Sequence, residues 1–342
     1  MFPLTHSLKQ KTATLLLSAL LCSGLFVGDA QALTVSPVRI ELAGDPGTTI
    51  TGEFLLINEQ PSQQLFYLSS ENFEARGEEG SPTFVASTEG LASWVSTTPS
   101  VRLAGGEKKK VQFKVAIPVN ADPGGHFAAI FAGTGDPASA GEGGQVSVGA
   151  KIGVLILLRV NGDVAEGGGL LSFEGEGRLV SGLPIKFNYR FQNTGGDRLR
   201  PIGEIAISNT IGMTTTRVVA NPSEGNVLPA STRKFSAEWV TTATSDDDQQ
   251  IIPAKKEEDA KGGFWGAVRS QWSNFTFGVY SAHLNLSYGT SELKEANATY
   301  RFFILPWQLL LVIACALAVL FFGGRSLLRR YNRWIIEQAK RS

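Results

Sequence analysis

Ile185-Lys186-Phe187-Asn188-Tyr189-Arg190-Phe191 alternates an apolar with a polar residue at every step. Side chains on a strand point to opposite faces with a period of two, so this stretch would bury Ile185, Phe187, Tyr189 and Phe191 and turn Lys186, Asn188 and Arg190 to water. The signature recurs upstream, where Val38, Ile40 and Leu42 alternate with Arg39 and Glu41. Val111, Phe113, Val115 and Ile117 likewise alternate with Gln112, Lys114 and Ala116. Gly, Pro, Asn and Ser punctuate such runs at short intervals, and almost no helical periodicity lies between them. Strands with one buried and one solvated face belong to antiparallel sheets. The pattern predicts an all-β sandwich fold rather than a βα alternation.

Ile152 to Val160 (IGVLILLRV) departs from the alternation, being nearly continuous in its hydrophobicity. It is too short to cross a bilayer as a helix, and reads as a central or end strand buried on both faces. Asn161-Gly162 then supplies a turn and Gly167-Gly168-Gly169 a loop. This divides the chain into a first sandwich over 33–165 and a second over 166–301. A faint internal repeat suggests two copies of one fold. Gly125-His126-Phe127-Ala128-Ala129 corresponds to Gly278-Val279-Tyr280-Ser281-Ala282, and Leu103-Ala104-Gly105-Gly106 to Leu228-Pro229-Ala230-Ser231, each of the latter pair standing before an alternating run.

Both ends are hydrophobic. Lys9 and Lys11 precede an apolar run from Thr12 to Val27, and Ala30-Gln31-Ala32 comes next. That is the order of a secretory signal over 1–32 with cleavage after Ala32. From Phe302 to Phe322 runs a second apolar stretch of about 21 residues, or roughly 31 Å of helix, enough to cross a bilayer. The tail over 323–342 carries Arg325, Arg329, Arg330, Arg333, Lys340 and Arg341 against the single acid Glu337. The positive-inside rule makes those arginines topology-setting: the tail is cytoplasmic, the N-terminus lies outside, and the expected location is the cell membrane, with a single pass.

Charge and residue usage exclude several chemistries. The expected ectodomain holds 23 Lys+Arg against 29 Asp+Glu, a mildly acidic balance with no basic field for nucleic acid. Cys22 lies in the signal and Cys315 in the span, so disulfides and cysteine ligands are not expected outside. Leu21 before Cys22 is not the small residue that lipoprotein processing needs. His126 and His283 each sit in strand-like runs, without visible partners for a zinc site or a Ser-His-Asp arrangement. No enzymatic constellation, metal or cofactor is expected.

Several motifs carry a family resemblance: Val35-Ser36-Pro37-Val38-Arg39-Ile40, Leu56-Ile57-Asn58, Trp94-Val95 before Val101-Arg102-Leu103, Lys110-Val111-Gln112-Phe113-Lys114-Val115, and Gly125-His126-Phe127-Ala128-Ala129-Ile130. Their order resembles the N-terminal domain of the bacterial WxL-interacting proteins. The resemblance implies a PapD-like immunoglobulin sandwich of the peptidoglycan-binding type, then a second immunoglobulin-like domain linked to host or partner proteins, a spanning helix and a basic tail. It covers about residues 33–165, and the second domain by layout. The loop lengths around Gly133–Gly149 and a long insert in the second domain depart from the family pattern.

Two segments could carry function. Gly133 to Gly149 (GTGDPASAGEGGQVSVG) reads as a flexible hairpin loop or a mobile binding loop. The insert over 242–274 opens with Ser245-Asp246-Asp247-Asp248, without the ligand order of a calcium loop, and reads there as a solvated charged loop. It then places Phe264, Trp265, Val268 and Trp272 at helical spacing. The last strand must end at the bilayer because the span comes directly after it, so its hairpin partner begins there and the insert feeding that partner hangs at the membrane-proximal end. Trp and Phe favour the water–lipid interface, making Phe264, Trp265, Trp272 and Trp307 candidate membrane-interface residues; covering an open sandwich end is the alternative.

The residues predict a non-enzymatic, membrane-anchored binding or scaffold protein. The resemblance implies that its partners, beyond the membrane, would be peptidoglycan or another cell-wall polymer, or an envelope or surface protein. The alternative is a membrane-tethered PapD-like assembly chaperone that acts by strand complementation, with Ile152, Val154, Ile156, Leu158 and Val160 as possible strand-pairing residues.

Overall fold

A computed structural model describes residues 33–86, 88–135, 151–240, 263–290 and 292–339. The signal-like segment, most of the Gly-rich loop and the charged start of the insert lie outside the described residues. The architecture is all-β: two sandwiches, followed by one long C-terminal helix.

The first sandwich is built from β1 (Leu33–Ser36), β2 (Arg39–Gly44), β3 (Thr49–Asn58), β4 (Gln64–Ala75), β5 (Pro82–Val85), a short helix α1 (Leu91–Trp94), β6 (Val95–Thr97), β7 (Ser100–Leu103), β8 (Lys108–Ala116), β9 (Gly124–Gly133) and β10 (Lys151–Val160). One sheet has the order β1-β3-β8-β6; the other runs β2-β10-β9-β4-β5, with β7 also paired to β4. The alternation along β8 emerges as written: Val111, Phe113 and Val115 are buried, while Lys110, Gln112 and Lys114 face water. Opposite Phe113 stands Gly52. A Cβ there would come within 2.3 Å of the Phe113 ring, so the small residue is what lets the ring lie across the sheet.

The second sandwich pairs a three-stranded sheet, β11 (Gly168–Gly175), β13 (Ile185–Asn193) and β16 (Ser231–Trp239), with a five-stranded one. The latter runs β12 (Leu179–Val180), β18 (Lys294–Ile304), β17 (Gly278–Tyr288), β14 (Ile202–Ser208), β15 (Thr214–Val219). Ile185, Phe187, Tyr189 and Phe191 on β13 are all buried. They meet aromatic partners: Phe187 against Phe302 at 5.7 Å between centroids, Phe191 against Tyr288 at 4.8 Å, and Tyr189 stacked on Phe235 at 4.9 Å.

By its contacts the chain divides into two compact units, and the second takes in Phe73–Val85 and Asp122–His126 as well as everything from Arg159 onward. Within that unit Arg190 Nε donates to Glu78 Oε2 at 2.7 Å, its Nη2 donates to the other carboxylate oxygen, and Lys234 N–H donates to the Glu78 carbonyl at 2.7 Å. The Arg190 guanidinium holds the Glu78 carboxyl below its ordinary range. This contact therefore contributes above the usual carboxylate pKa and is lost as pH falls through the lowered one.

The two sandwiches share a buried asparagine at a strand end. Asn58 ends β3 and Asn193 ends β13, and both are fully buried. Asn58 Nδ2 donates to the carbonyls of Leu103 and Ala104 while its Oδ1 accepts from Gln60 N–H. Asn193 Nδ2 donates to Asp197 and Val227 while its Oδ1 accepts from Gly195 N–H, two residues on as before. Each amide thus satisfies the backbone where a strand ends and ties it to the approach of the next strand in the same sheet. Gly124 and Gly278 open β9 and β17 with φ of 122° and 120°, one residue out of the register in which the sequence aligns Gly125 with Gly278.

The Tyr189 hydroxyl is buried and has no hydrogen-bond partner among the described residues. Burial pushes its phenol pKa up. Tyr189→Phe removes a desolvated group that gains nothing in return, so the variant is expected to match or exceed the parent in stability by up to about 1 kcal/mol, read as the midpoint of urea unfolding.

Candidate membrane-contact site

The apolar run that begins at Phe302 does not begin the helix. Phe302 and Ile304 close β18 and are buried in the second sandwich. Backbone bonds from Phe303 and Leu305 to Arg178 and Val180 hold this end of the chain against β12. Pro306 then separates strand from helix, and α3 runs from Trp307 to Ala339, after α2 at Gly263–Ser273. The span anticipated at 302–322 is thus displaced: the candidate span is Trp307–Trp334. A core strand and a membrane helix share one composition, so only the proline marks the boundary.

The side chains of α3 from Leu311 to Phe322 are almost all exposed, Leu317, Leu320 and Phe322 among them, which leaves a continuous apolar cylinder without a protein cover. Such a surface is expensive in water and neutral in hydrocarbon.

Around the start of this cylinder lies α2. Gln271, buried, donates through Nε2 to Gln308 Oε1 and accepts the Leu309 N–H through Oε1 at 3.0 Å. The first amides of a helix have no partner inside it, so Gln271 caps α3 from outside. Phe264 packs on Trp307 at 6.2 Å and on Trp265 at 5.4 Å. Trp265 and Trp272 remain 70% and 71% exposed, and Trp307 is half-exposed. Phe275 and Phe277, in the segment between α2 and β17, are also exposed, the latter edge-on to Phe303 at 5.6 Å.

The structure therefore brings Phe264, Trp265 and Trp307 together, with Trp272 on the same short helix. It adds Gln271, Phe275 and Phe277, which the sequence did not single out. A Gln between aromatic residues looks solvated; only the fold shows that it faces another helix. Phe275 and Phe277 fall beyond the helical stripe, where no periodicity flags them. Arg325, Arg329, Arg330 and Arg333 lie exposed on the far part of α3.

The five possible strand-pairing residues occupy a different setting. Ile152, Val154, Ile156, Leu158 and Val160 all lie on β10, between β2 and β9. Val154, Ile156, Leu158 and Val160 are fully buried. Val154, Ile156 and Leu158 are buried within the first compact unit, while Val160 falls in the second. The continuous apolar run is that of an interior strand.

His126 Nε2 meets the Asp122 carbonyl at 2.8 Å, and the half-buried His283 Nδ1 meets Thr299 Oγ1 on the neighbouring strand at 3.1 Å. Among the described residues no three His, Cys, Asp or Glu side chains gather as metal ligands would.

No protein-family model matches the sequence, so the resemblance to the WxL-interacting proteins is carried no further, and no curated protein matches it. Among solved structures the chain is similar to the class 5 fimbriae chaperone CfaA, at 12% identity and a TM-score of 0.37, covering 79% of this chain and 99% of that one. The Escherichia coli chaperone DraB is similar at 12% identity and a TM-score of 0.33, covering 78% and 96%. The Salmonella enterica complex of SafA pilin with the SafB chaperone is similar at 9% identity and a TM-score of 0.33, covering 81% and 99%. Values this low carry no inference about what this chain binds.

Proposed function

We propose that the chain is a non-enzymatic, membrane-anchored binding or scaffold protein of the cell envelope, displaying its two sandwiches outside the membrane. The observation that carries this reading is the junction of β18, α2 and α3: a folded domain passes into an uncovered apolar helix within two residues, inside a collar of Phe and Trp. Aromatic side chains with a polar handle favour the headgroup level, so the collar marks where the bilayer begins.

If the collar rests in lipid, its tryptophans are quenched by brominated acyl chains. Trp265→Phe and Trp272→Phe in the reconstituted full chain should each lower the quenched fraction of total emission. A rise would mean that the removed tryptophan stood in water and would count against the collar.

The exposed sandwiches are the partner-binding part of the proposal, with peptidoglycan, another cell-wall polymer or an envelope protein as the class of partner. Incubating the detergent-solubilised full chain with isolated sacculi and, separately, with envelope protein extract tests it. Sedimentation with sacculi, or a saturable protein partner, is the expected outcome; binding to neither contradicts it. Strand complementation is the weaker reading, because β10 has neighbours on both sides and Val154, Ile156 and Leu158 are buried.

A further inference from the structure

Beyond the apolar cylinder, α3 changes character at Gly323-Gly324. At about 100° per residue, Arg325, Arg329, Arg330 and Arg333 fall within one arc of roughly 140°, and Ser326 lies inside it. Leu327, Leu328, Tyr331 and Trp334 fall within an arc of about 120° on the opposite side. Both faces are exposed along this part of the helix, with Leu328 64% and Trp334 54% open. Tyr331 and Trp334 stack at 6.1 Å, one turn apart, so the apolar face carries an aromatic step of its own. This is the make-up of a helix that lies in a membrane surface rather than through it.

Length agrees with that division. Trp307 to Gly324 measures about 27 Å of helix, close to the hydrocarbon thickness of roughly 30 Å. The residues past Gly324 need not be in the hydrocarbon core, yet a straight continuation would hold Leu327, Leu328, Tyr331 and Trp334 in water. A pair of glycines is where a helix bends most cheaply. Four guanidiniums at this level would meet the phosphates of the leaflet that a spanning helix has just crossed, and planar bidentate donors suit phosphate.

We propose that Arg325–Trp334 is a second, separate membrane-binding element. It bends at Gly323-Gly324 to lie on the cytoplasmic leaflet, its Leu/Tyr/Trp face in the acyl boundary and its arginines on anionic lipid headgroups. The proposal rests on the reading of α3 as a membrane span and adds to it a choice of lipid.

The test uses the full chain in nanodiscs with and without phosphatidylglycerol, in a Cys22→Ser, Cys315→Ser background. Spin labels are placed singly through Leu317→Cys, Ser326→Cys and Leu328→Cys. With anionic lipid, the Leu328 label is expected to collide with oxygen and be shielded from a water-soluble nickel chelate, and the Ser326 label to do the reverse. Arg330→Gln should lower the ratio of surface-bound to free segment about fivefold, the equivalent of roughly 1 kcal/mol per charge. Equal nickel access at Ser326 and Leu328, with Leu317 still in lipid, overturns the surface helix and leaves the span standing. Nickel access at Leu317 overturns both.

Discussion

A chain ending at Pro306 is expected to leave the membrane fraction completely while keeping both sandwiches folded. The two halves of that statement have different causes. Insertion of an apolar helix is effectively irreversible, whereas a few interfacial aromatics bind weakly and reversibly. Removing α3 therefore turns a carbonate-resistant membrane protein into one recovered in the soluble fraction. Folding should survive because α3 adds little to the core: Leu309 is its one fully buried apolar residue among those described, and the core of the second sandwich closes with Ile304. The local loss falls on α2, since Gln271 gives up both Gln308 and the Leu309 amide. An unchanged far-ultraviolet spectrum with complete release is the expected pair of results. Retention of the truncated chain in the washed pellet would mean that something other than α3 holds it.

Phe187→Ala is expected to cost the second sandwich about 3–5 kcal/mol. The ring is fully buried between Phe173 at 6.0 Å and Phe302 at 5.7 Å, so its removal opens a cavity between the two sheets. Domains hold only about 5–15 kcal/mol in all, which makes this a loss of roughly a fifth or more. Trp239, in the same core, reports the unfolding by its fluorescence. The neighbouring Lys186 points the other way and is exposed, so Lys186→Ala should shift stability by no more than about 0.5 kcal/mol. Similar costs at the two positions would refute the alternation on which the sandwich reading rests.

That alternation is why so much of the fold was legible. Lys110 to Val115 and Ile185 to Phe191 state their two faces residue by residue, and the structure repeats them. Helical spacing of Phe264, Trp265, Val268 and Trp272 likewise announces α2. The features that stayed hidden depend on long-range partners. Asn58 and Asn193 look like ordinary turn residues until the approaching strands supply their carbonyls. Phe73–Val85 belongs by sequence to the first domain, yet Glu78 finds Arg190, 112 positions away. Phe302 and Ile304 have the composition of a span and the environment of a core. For the candidate site, aromatic composition pointed to the right helix, while the Gln271 cap required the fold.

The most direct measurement is the sidedness of the chain. In spheroplasts producing the full protein in a Cys22→Ser, Cys315→Ser background, single cysteines are introduced through Lys186→Cys in the second sandwich and Asn332→Cys in the basic part of α3 after Gly324, then exposed to a membrane-impermeant maleimide. The predicted result is labelling of Lys186→Cys on intact cells and of Asn332→Cys only after lysis. Labelling of both on intact cells, or of Asn332→Cys alone, would contradict a membrane anchor that holds the sandwiches outside and the basic helix within.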